Sequence, residues 1–285
     1  MSGPALTEVA QWDVPHAAVA VLDATGAELE RATRHPGDDA LVYGLASVTK
    51  LLVAYAVHVA VEEGALDLGE PAGPPGATVA HLLAHTAGYG FESGSPALSR
   101  PGAKRIYSNH GYEVLGAHLG DRTGMAVADY LAEAVLAPLG MASTELAGSP
   151  AAGARGTLGD LLAFARELSA PRLLHPTSWQ AFVGVAFPGL PGVLPGHGRF
   201  DPLDWGLGPE RNFARPGHWA GTLVSAHTFG HFGGSGTFLW VDPARRLAAV
   251  GLTDRPFGDW ARAAWPALND AIVTAWATPN VGAST

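Results

Sequence analysis

The chain has 285 residues, of which 47% are hydrophobic and 15% charged, and this is enough apolar material for a substantial core. The formal net charge of -9, with no Lys/Arg run longer than a pair, argues against a nucleic-acid partner. The absence of cysteine excludes disulfides, thiolate nucleophiles and cysteine-ligated zinc.

The N-terminal stretch is polar and acidic, whereas a signal peptide has a basic start followed by an apolar run. No uninterrupted apolar stretch reaches the length of about 18 residues that spans a bilayer. We therefore expect a cytoplasmic protein without a membrane partner. The sequence leaves the oligomeric state open.

The first half of the chain predicts a hairpin and then several helices. Residues 17–33 read as two short strands around Ala24-Thr25-Gly26. Residues 48–63 carry an unbroken helical pattern that Gly64 ends. Shorter helices are predicted in the stretch that ends at Gly88, over 110–120 and over 126–137.

The second half predicts a long loop, two strands and a terminal helix. Residues 187–208 are crowded with Pro and Gly and are predicted to be loop or linker. The apolar runs on either side of residues 242–245 suit two antiparallel strands, and residues 259–276 suit a helix.

This order predicts an α/β fold in which the N- and C-terminal segments form one antiparallel sheet flanked by helices, with an inserted helical lobe. We expect a single domain over residues 1–285. Its α/β lobe would comprise roughly residues 1–60 and 205–285, and its helical lobe roughly residues 61–204.

One of only two lysines in the chain lies at the predicted start of the helix over 48–63. Ser47 and Lys50 are three residues apart, so their side chains share one helix face. A serine hydroxyl needs an adjacent base, and a lysine amine that apolar neighbours desolvate can lose its proton. The alternative is a helix-capping Ser47 with a solvated Lys50.

Two further groups of residues have chemistry that fits this pair. In Tyr107-Ser108-Asn109, a phenol beside an ammonium could be held as phenolate and shuttle a proton, while the Asn109 amide offers a donor and an acceptor. In the glycine-rich run 230–236, His231 lies where glycines imply the close approach of a backbone or a ligand. Alone, the first group reads as an ordinary helix-entry turn with Asn109 as its cap, and the second as a bulged edge strand with a surface histidine.

In this order and spacing, the three motifs resemble those of the penicillin-recognising serine hydrolases, in the branch of class C β-lactamases, related DD-peptidases and similar esterases. The similarity covers roughly residues 15–275. It implies that Ser47 is the acylated nucleophile, Lys50 its base or base partner, and Tyr107 the proton-shuttling residue. No metal or organic cofactor is implied.

The resemblance also assigns residues to substrate binding. Asn109 is implied to contact the substrate, and His231-Phe232-Gly233 to form the third motif. The N–H groups of Ser47 and Gly234 are implied to form the oxyanion hole.

The third motif departs from the family pattern, because HFG stands where β-lactamases of this fold carry K-T-G. A histidine is largely neutral above its ordinary pKa of about 6.5, so the permanent cation for a β-lactam carboxylate is missing. This favours an esterase-like or peptidase-like hydrolase of small esters or amides over an efficient lactamase. The alternatives are a β-lactamase or D-amino-acid peptidase, and a non-catalytic ligand-binding protein on the same fold.

Other patterns carry less weight. Histidines lie four apart at His81/His85 and His227/His231, but the glutamate of H-E-x-x-H is missing, so no metal site is predicted. G-x-S-x-G is absent, which excludes an α/β-hydrolase nucleophile elbow. Trp205 and Trp219 could wall an apolar acyl pocket, although core packing explains most tryptophans.

Overall fold

The computed structural model of the chain describes residues 4–194, 197–211, 215 and 217–277. Within them the strands are β1 (Ala17–Asp23), β2 (Glu28–Thr33), β3 (Tyr43–Gly44), β4 (Arg105–Ile106), β5 (Glu145–Leu146), β6 (Ala154–Gly156), β7 (Gly192–Leu194), β8 (Gly198–Phe200), β9 (Phe229–Gly233), β10 (Thr237–Asp242) and β11 (Leu247–Thr253). The α-helices are α1 (Thr49–Glu62), α2 (Val79–Leu83), α3 (Asn109–Thr123), α4 (Val127–Leu131), α5 (Leu158–Ser169), α6 (Pro176–Val183) and α7 (Asp259–Trp276). Short 3₁₀ turns lie at Thr7–Gln11, Asp38–Ala40 and Ala46–Val48, and α4 continues into a π-helical turn at Ala132–Leu136.

The main sheet joins the two ends of the chain. Its strand order is β2-β1-β11-β10-β9, and every neighbouring pair is antiparallel. β1 pairs along its whole length with β11, from Ala17 opposite Thr253 to Asp23 opposite Leu247. The predicted antiparallel sheet from both termini is confirmed.

The two faces of this sheet pack against different helices. In β1, Ala18, Ala20 and Leu22 belong to the core cluster that contains α1 and α5. The alternate residues Ala17, Val19 and Val21 belong to the second cluster, which contains α7. Both faces of β1 are therefore buried, and the near-continuous apolar run of this strand follows from that.

α1 lies inside the larger cluster. Each of its residues from Thr49 to His58 is buried, so the helix is covered on all sides, as its uniformly apolar sequence requires. It ends at Glu62, and Gly64 follows with a left-handed φ of 74°. The predicted helix over 48–63 is confirmed within one residue at each end.

The glycine-rich segment near the C-terminal end contains a hairpin that the sequence pattern did not resolve. The sequence predicts one strand in the apolar run before residues 242–245, but β9 and β10 are two strands joined at Gly234-Ser235-Gly236. The Gly236 N–H donates to the carbonyl of Gly233 at 3.0 Å, and Gly236 has a φ of 92°. The turn therefore lies inside what reads as a single apolar run.

Three other elements differ from the predictions. The segment 187–208 is not all loop, because β7 pairs with β4 and β8 pairs with β7 in a small sheet. α2 ends at Leu83, five residues before Gly88. α5 belongs to residues 61–204, assigned above to the helical lobe, yet it packs against β1, β10 and β11.

Within the described ranges, no helix combines the length and the hydropathy needed to cross a membrane.

Candidate active site

Ser47 lies in the 3₁₀ turn that leads into α1. The residue before it, Ala46, has a φ of 43°, a left-handed conformation that costs a non-glycine residue about 1–3 kcal/mol and is common at functional sites. β9 packs directly against this turn, because a Cβ on Gly233 would lie 2.3 Å from the Leu45 carbonyl oxygen. The expected close approach of another backbone is therefore found at Gly233.

Hydroxyl groups of the β9–β10 hairpin also bind the segment before the serine. Ser235 Oγ donates to the Gly44 carbonyl at 2.5 Å, and Thr237 Oγ1 donates to the Leu45 carbonyl at 3.0 Å. These bonds fix the turn of Ser47 to the end of the sheet.

Lys50 is the second residue of α1 and is fully buried. Its Nζ is 3.2 Å from Ser47 Oγ, 2.7 Å from Asn109 Oδ1 and 2.8 Å from the Ala151 carbonyl oxygen. Burial lowers the pKa of Lys50 well below its usual value, and the charge of Glu113 only partly opposes this. In the described parts of the chain, Lys50 forms no ion pair.

The partners of Lys50 determine what a neutral amine does there. The Ala151 carbonyl and Asn109 Oδ1 can only accept hydrogen bonds, so they take both N–H groups of the NH₂ form. The remaining lone pair then faces the hydroxyl of Ser47. This is the geometry that a general base requires.

Tyr107 lies between β4 and α3, with its ring centroid 4.8 Å from Lys50 Nζ. Burial raises the pKa of Tyr107, and a hydrogen bond with the Ser47 side chain only partly offsets this. The expected phenolate beside an ammonium is therefore wrong. Burial favours the neutral form of both groups, the lysine amine and the phenol.

Asn109 is the first residue of α3, and Ser108 caps the helix by accepting from the Gly111 N–H at 2.9 Å. The side-chain oxygen of Asn109 binds Lys50. The residue expected to contact substrate thus also orients the lysine.

His231 lies on β9 and is almost completely buried. Its Nδ1 is 2.6 Å from the Phe232 carbonyl, which can only accept, so Nδ1 carries the proton. Its Nε2 is 3.3 Å from the Tyr107 hydroxyl and accepts from it. Burial lowers the pKa of His231 to about 4, so the third motif holds a neutral ring at neutral pH.

A pocket of about 190 Å³ opens beside Ser47. Its lining residues are Ser47, Phe91, Tyr107, Leu194, His197, Trp205, Glu210, His231, Phe232, Gly234 and Phe257. Most of these side chains are aromatic or aliphatic, and they come from separate segments of the chain. Of the two tryptophans considered above, Trp205 lines this pocket and Trp219 does not.

Glu210 is a buried carboxylate in the pocket wall, and sequence reasoning missed it. It is ion-paired to Arg215, with His218 Nε2 at 3.4 Å, and the indole N–H of Trp219 donates to it at 3.1 Å. Burial opposes its ionisation, but Arg215 and His218 outweigh this and hold the pKa of Glu210 well below its ordinary value. No motif in the sequence marks Glu210, because its partners follow it in an irregular segment.

The histidines spaced four apart do not converge as ligands. His81 Nδ1 is 2.8 Å from Thr78 Oγ1, and the His81 ring packs on Phe187. His85 Nδ1 accepts instead from the backbone of Ser108. His227 precedes β9, whereas His231 is bound to Tyr107.

The sequence model of the Beta-lactamase family matches residues 6–273. A crystal structure of a β-lactamase from Mycobacterium bovis is 48% identical to the chain with a TM-score of 0.92, covering 96% of this chain and 100% of that one. Two others share the fold at 17% identity. Simvastatin synthase from Aspergillus terreus has a TM-score of 0.74, with 95% of this chain and 96% of that one covered. A hydrolase with promiscuous acyltransferase activity has a TM-score of 0.73, with 94% and 96% covered.

A search of curated proteins returns no match. The family match spans most of the chain, and the similar β-lactamase structure is covered over its whole length. The chain therefore belongs to the Beta-lactamase family, whose members are serine hydrolases.

Proposed function

We propose that the chain hydrolyses small carboxylic esters through an acyl-enzyme on Ser47. The observation that carries this proposal is the distance of 3.2 Å between Ser47 Oγ and the buried Lys50 amine, whose two other partners are acceptors. A binding protein has no use for a desolvated lysine aimed at a serine, because burying an amine without an opposite charge beside it costs stability.

Acylation begins when the neutral Lys50 amine takes the proton of the Ser47 hydroxyl. Oγ then attacks the carbonyl carbon, the π electrons move to the oxygen, and the N–H groups of Ser47 and Gly234 stabilise the oxyanion. Collapse breaks the ester C–O bond. The Tyr107 hydroxyl protonates the departing alcohol, and Lys50 returns a proton to Tyr107, so the serine proton ends on the alcohol.

Deacylation uses the same groups in reverse. A water molecule loses a proton to Lys50 by way of Tyr107 and attacks the acyl carbon. The bond to Ser47 Oγ breaks, Oγ recovers a proton from Lys50, and the carboxylic acid leaves. Asn109 supplies an amide nitrogen close to the lysine that it orients.

The pocket supports a small, largely apolar acyl group. Its volume of about 190 Å³ is below the range of 300–1,000 Å³ of drug-sized ligand sites. Among the described residues that line it, none is Lys or Arg, and His231 is neutral. An uncharged ester therefore fits this pocket wall better than a substrate whose carboxylate must pair with a cationic side chain.

A neighbouring cavity favours the second candidate, a β-lactamase or D-amino-acid peptidase. It has about 210 Å³, shares His197 and Phe257 with the first pocket, and contains Arg215 and Arg262. The Arg262 guanidinium lies 5.0 Å from the Phe257 ring centroid. A substrate carboxylate could bind there, and the similar M. bovis protein is described as a β-lactamase.

The experiment compares p-nitrophenyl acetate and butyrate with nitrocefin, using wild type and Ser47→Ala. We expect faster turnover of the esters, a fluorophosphonate adduct on Ser47, and ester cleavage at background level in Ser47→Ala. Faster nitrocefin hydrolysis would select the second candidate. If the protein showed no turnover and formed no adduct, the non-catalytic binding protein would be the remaining candidate. Full activity in Ser47→Ala would refute the assignment of Ser47 as the nucleophile.

A further inference from the structure

His85 lies directly against the second motif, although it belongs to none of the three motifs. It follows α2, is 3% exposed, and has a φ of 58°. Its ring centroid lies 4.5 Å from that of Tyr107, 5.2 Å from that of Tyr112 and 5.2 Å from that of Trp205. The imidazole is therefore enclosed by aromatic rings.

The same residue binds both neighbours of Tyr107. The Ile106 N–H donates to the His85 carbonyl at 2.9 Å. The Ser108 N–H donates to His85 Nδ1 at 3.1 Å. With the ring contact, His85 holds the residue before Tyr107, the residue after it and the phenol itself.

The hydrogen bond from Ser108 also defines which nitrogen of the imidazole carries the proton. A backbone N–H can only donate, so Nδ1 must be unprotonated and the proton must lie on Nε2. Burial lowers the pKa of His85 well below its ordinary value, and the charge of Arg105 acts in the same direction. The ring is thus a neutral acceptor at neutral pH.

Two features of His85 are unfavourable for stability. Its φ is left-handed, which costs a non-glycine residue about 1–3 kcal/mol. In the part of the chain that is described, its Nε2 has no hydrogen-bond partner, and a buried unsatisfied donor costs about 1–3 kcal/mol. Features of this kind persist where function requires them.

We propose that His85 is a positioning residue that fixes the Tyr107 phenol between Ser47 and His231. The ring packs against one face of the phenol, and the bonds to Ile106 and Ser108 fix the backbone that carries it. His85 acts only through Tyr107 and touches neither the serine nor the substrate. The inference rests on the proposed function, in which Tyr107 transfers protons.

Two substitutions separate the contributions of the ring and the acceptor. His85→Phe keeps an aromatic ring but leaves the Ser108 N–H without its acceptor. His85→Asn places an oxygen where Nδ1 lies and tolerates a left-handed φ, but removes the ring. The matched control is His58→Phe, because His58 is also buried and neutral, binds one backbone carbonyl, and lies outside the site.

Ester turnover is measured per folded molecule. We expect kcat of His85→Phe to fall about 10- to 100-fold with KM nearly unchanged, since a catalytic group displaced by about 1 Å costs this much. His85→Asn should recover part of this loss. In a Tyr107→Phe background, His85→Phe should change kcat by less than about twofold, because a residue that acts through Tyr107 has nothing left to orient.

Three results would overturn the proposal. One is wild-type kcat in both variants. Another is a loss of activity in the His85 variants that the fraction of unfolded protein explains completely, which is the result we expect for His58→Phe. The third is an undiminished effect of His85→Phe in the Tyr107→Phe background. Failure of the proposed function is distinguishable, because it would appear as missing wild-type activity or as an active Ser47→Ala.

Discussion

The amine of Lys50 can act as a base only in its neutral form, and its burial supplies that form. An arginine at this position keeps a positive charge, since a guanidinium does not deprotonate in proteins. We expect Lys50→Arg to lower kcat for p-nitrophenyl butyrate by at least about 100-fold, the lower end of the range for a lost general base. Fluorophosphonate labelling of Ser47 should slow in parallel.

The control for this substitution is the other lysine of the chain. Lys104→Arg makes the same chemical change at a position outside the pocket beside Ser47. It should leave kcat and labelling unchanged. If Lys50→Arg retained most of its activity, the lysine would act only as a charge, and the proton route proposed above would be wrong.

Side-chain identity and spacing predicted which reactive residues the structure brings together. Ser47 and Lys50 are close in sequence, so their helix face could be inferred. The protonation state of Tyr107 could not, because it depends on burial by segments far along the chain. The Ala151 carbonyl and His85 were missed for a similar reason, since a backbone acceptor and a ring contact leave no spacing signal.

At the scale of elements, β9 can approach the turn of Ser47 only because Gly233 lacks a side chain. An added Cβ would lie 2.3 Å from the Leu45 carbonyl oxygen and 2.5 Å from Thr237 Oγ1. Both are held by neighbouring hydrogen bonds, so neither can move freely. We expect Gly233→Ala to lose at least about 2 kcal/mol of unfolding free energy and most of its activity, since overpacking shifts the backbone.

Gly44→Ala is the matched control, because a Cβ there meets no atom within 4 Å. Urea unfolding and ester turnover would be measured for both variants. A Gly233→Ala protein as stable and active as Gly44→Ala would show that β9 does not need this close approach.

Periodicity identified the long elements and missed the short ones. β1, α1 and α7 are long enough for their apolar pattern to be read. β7 and β8 have three residues each, so they show no period, and they exist because β7 pairs with β4 and β8 pairs with β7. The β9–β10 turn was hidden because its glycines lie within one apolar run.

The molecule as a whole buries several neutral histidines, and this makes its stability depend on pH. Burial lowers the pKa of His58 and of His231 to about 4, against about 6.5 in an unfolded chain. Between these values the unfolded chain binds more protons, so stability is present above pH 6.5 and is lost as pH falls towards 4. Both core clusters are assembled around the sheet, so we expect unfolding to be cooperative.

His58 allows this effect to be tested away from the active site. From pH 7.5 to 5.0, one such histidine removes roughly 2 kcal/mol of unfolding free energy. Urea titrations at both pH values should therefore show a loss for His58→Phe that is smaller than that of wild type by roughly 2 kcal/mol, because the variant lacks one buried group that must become charged. Equal losses in the two proteins would mean that His58 ionises as easily in the fold as in water, contrary to its burial on α1 against the Phe182 ring.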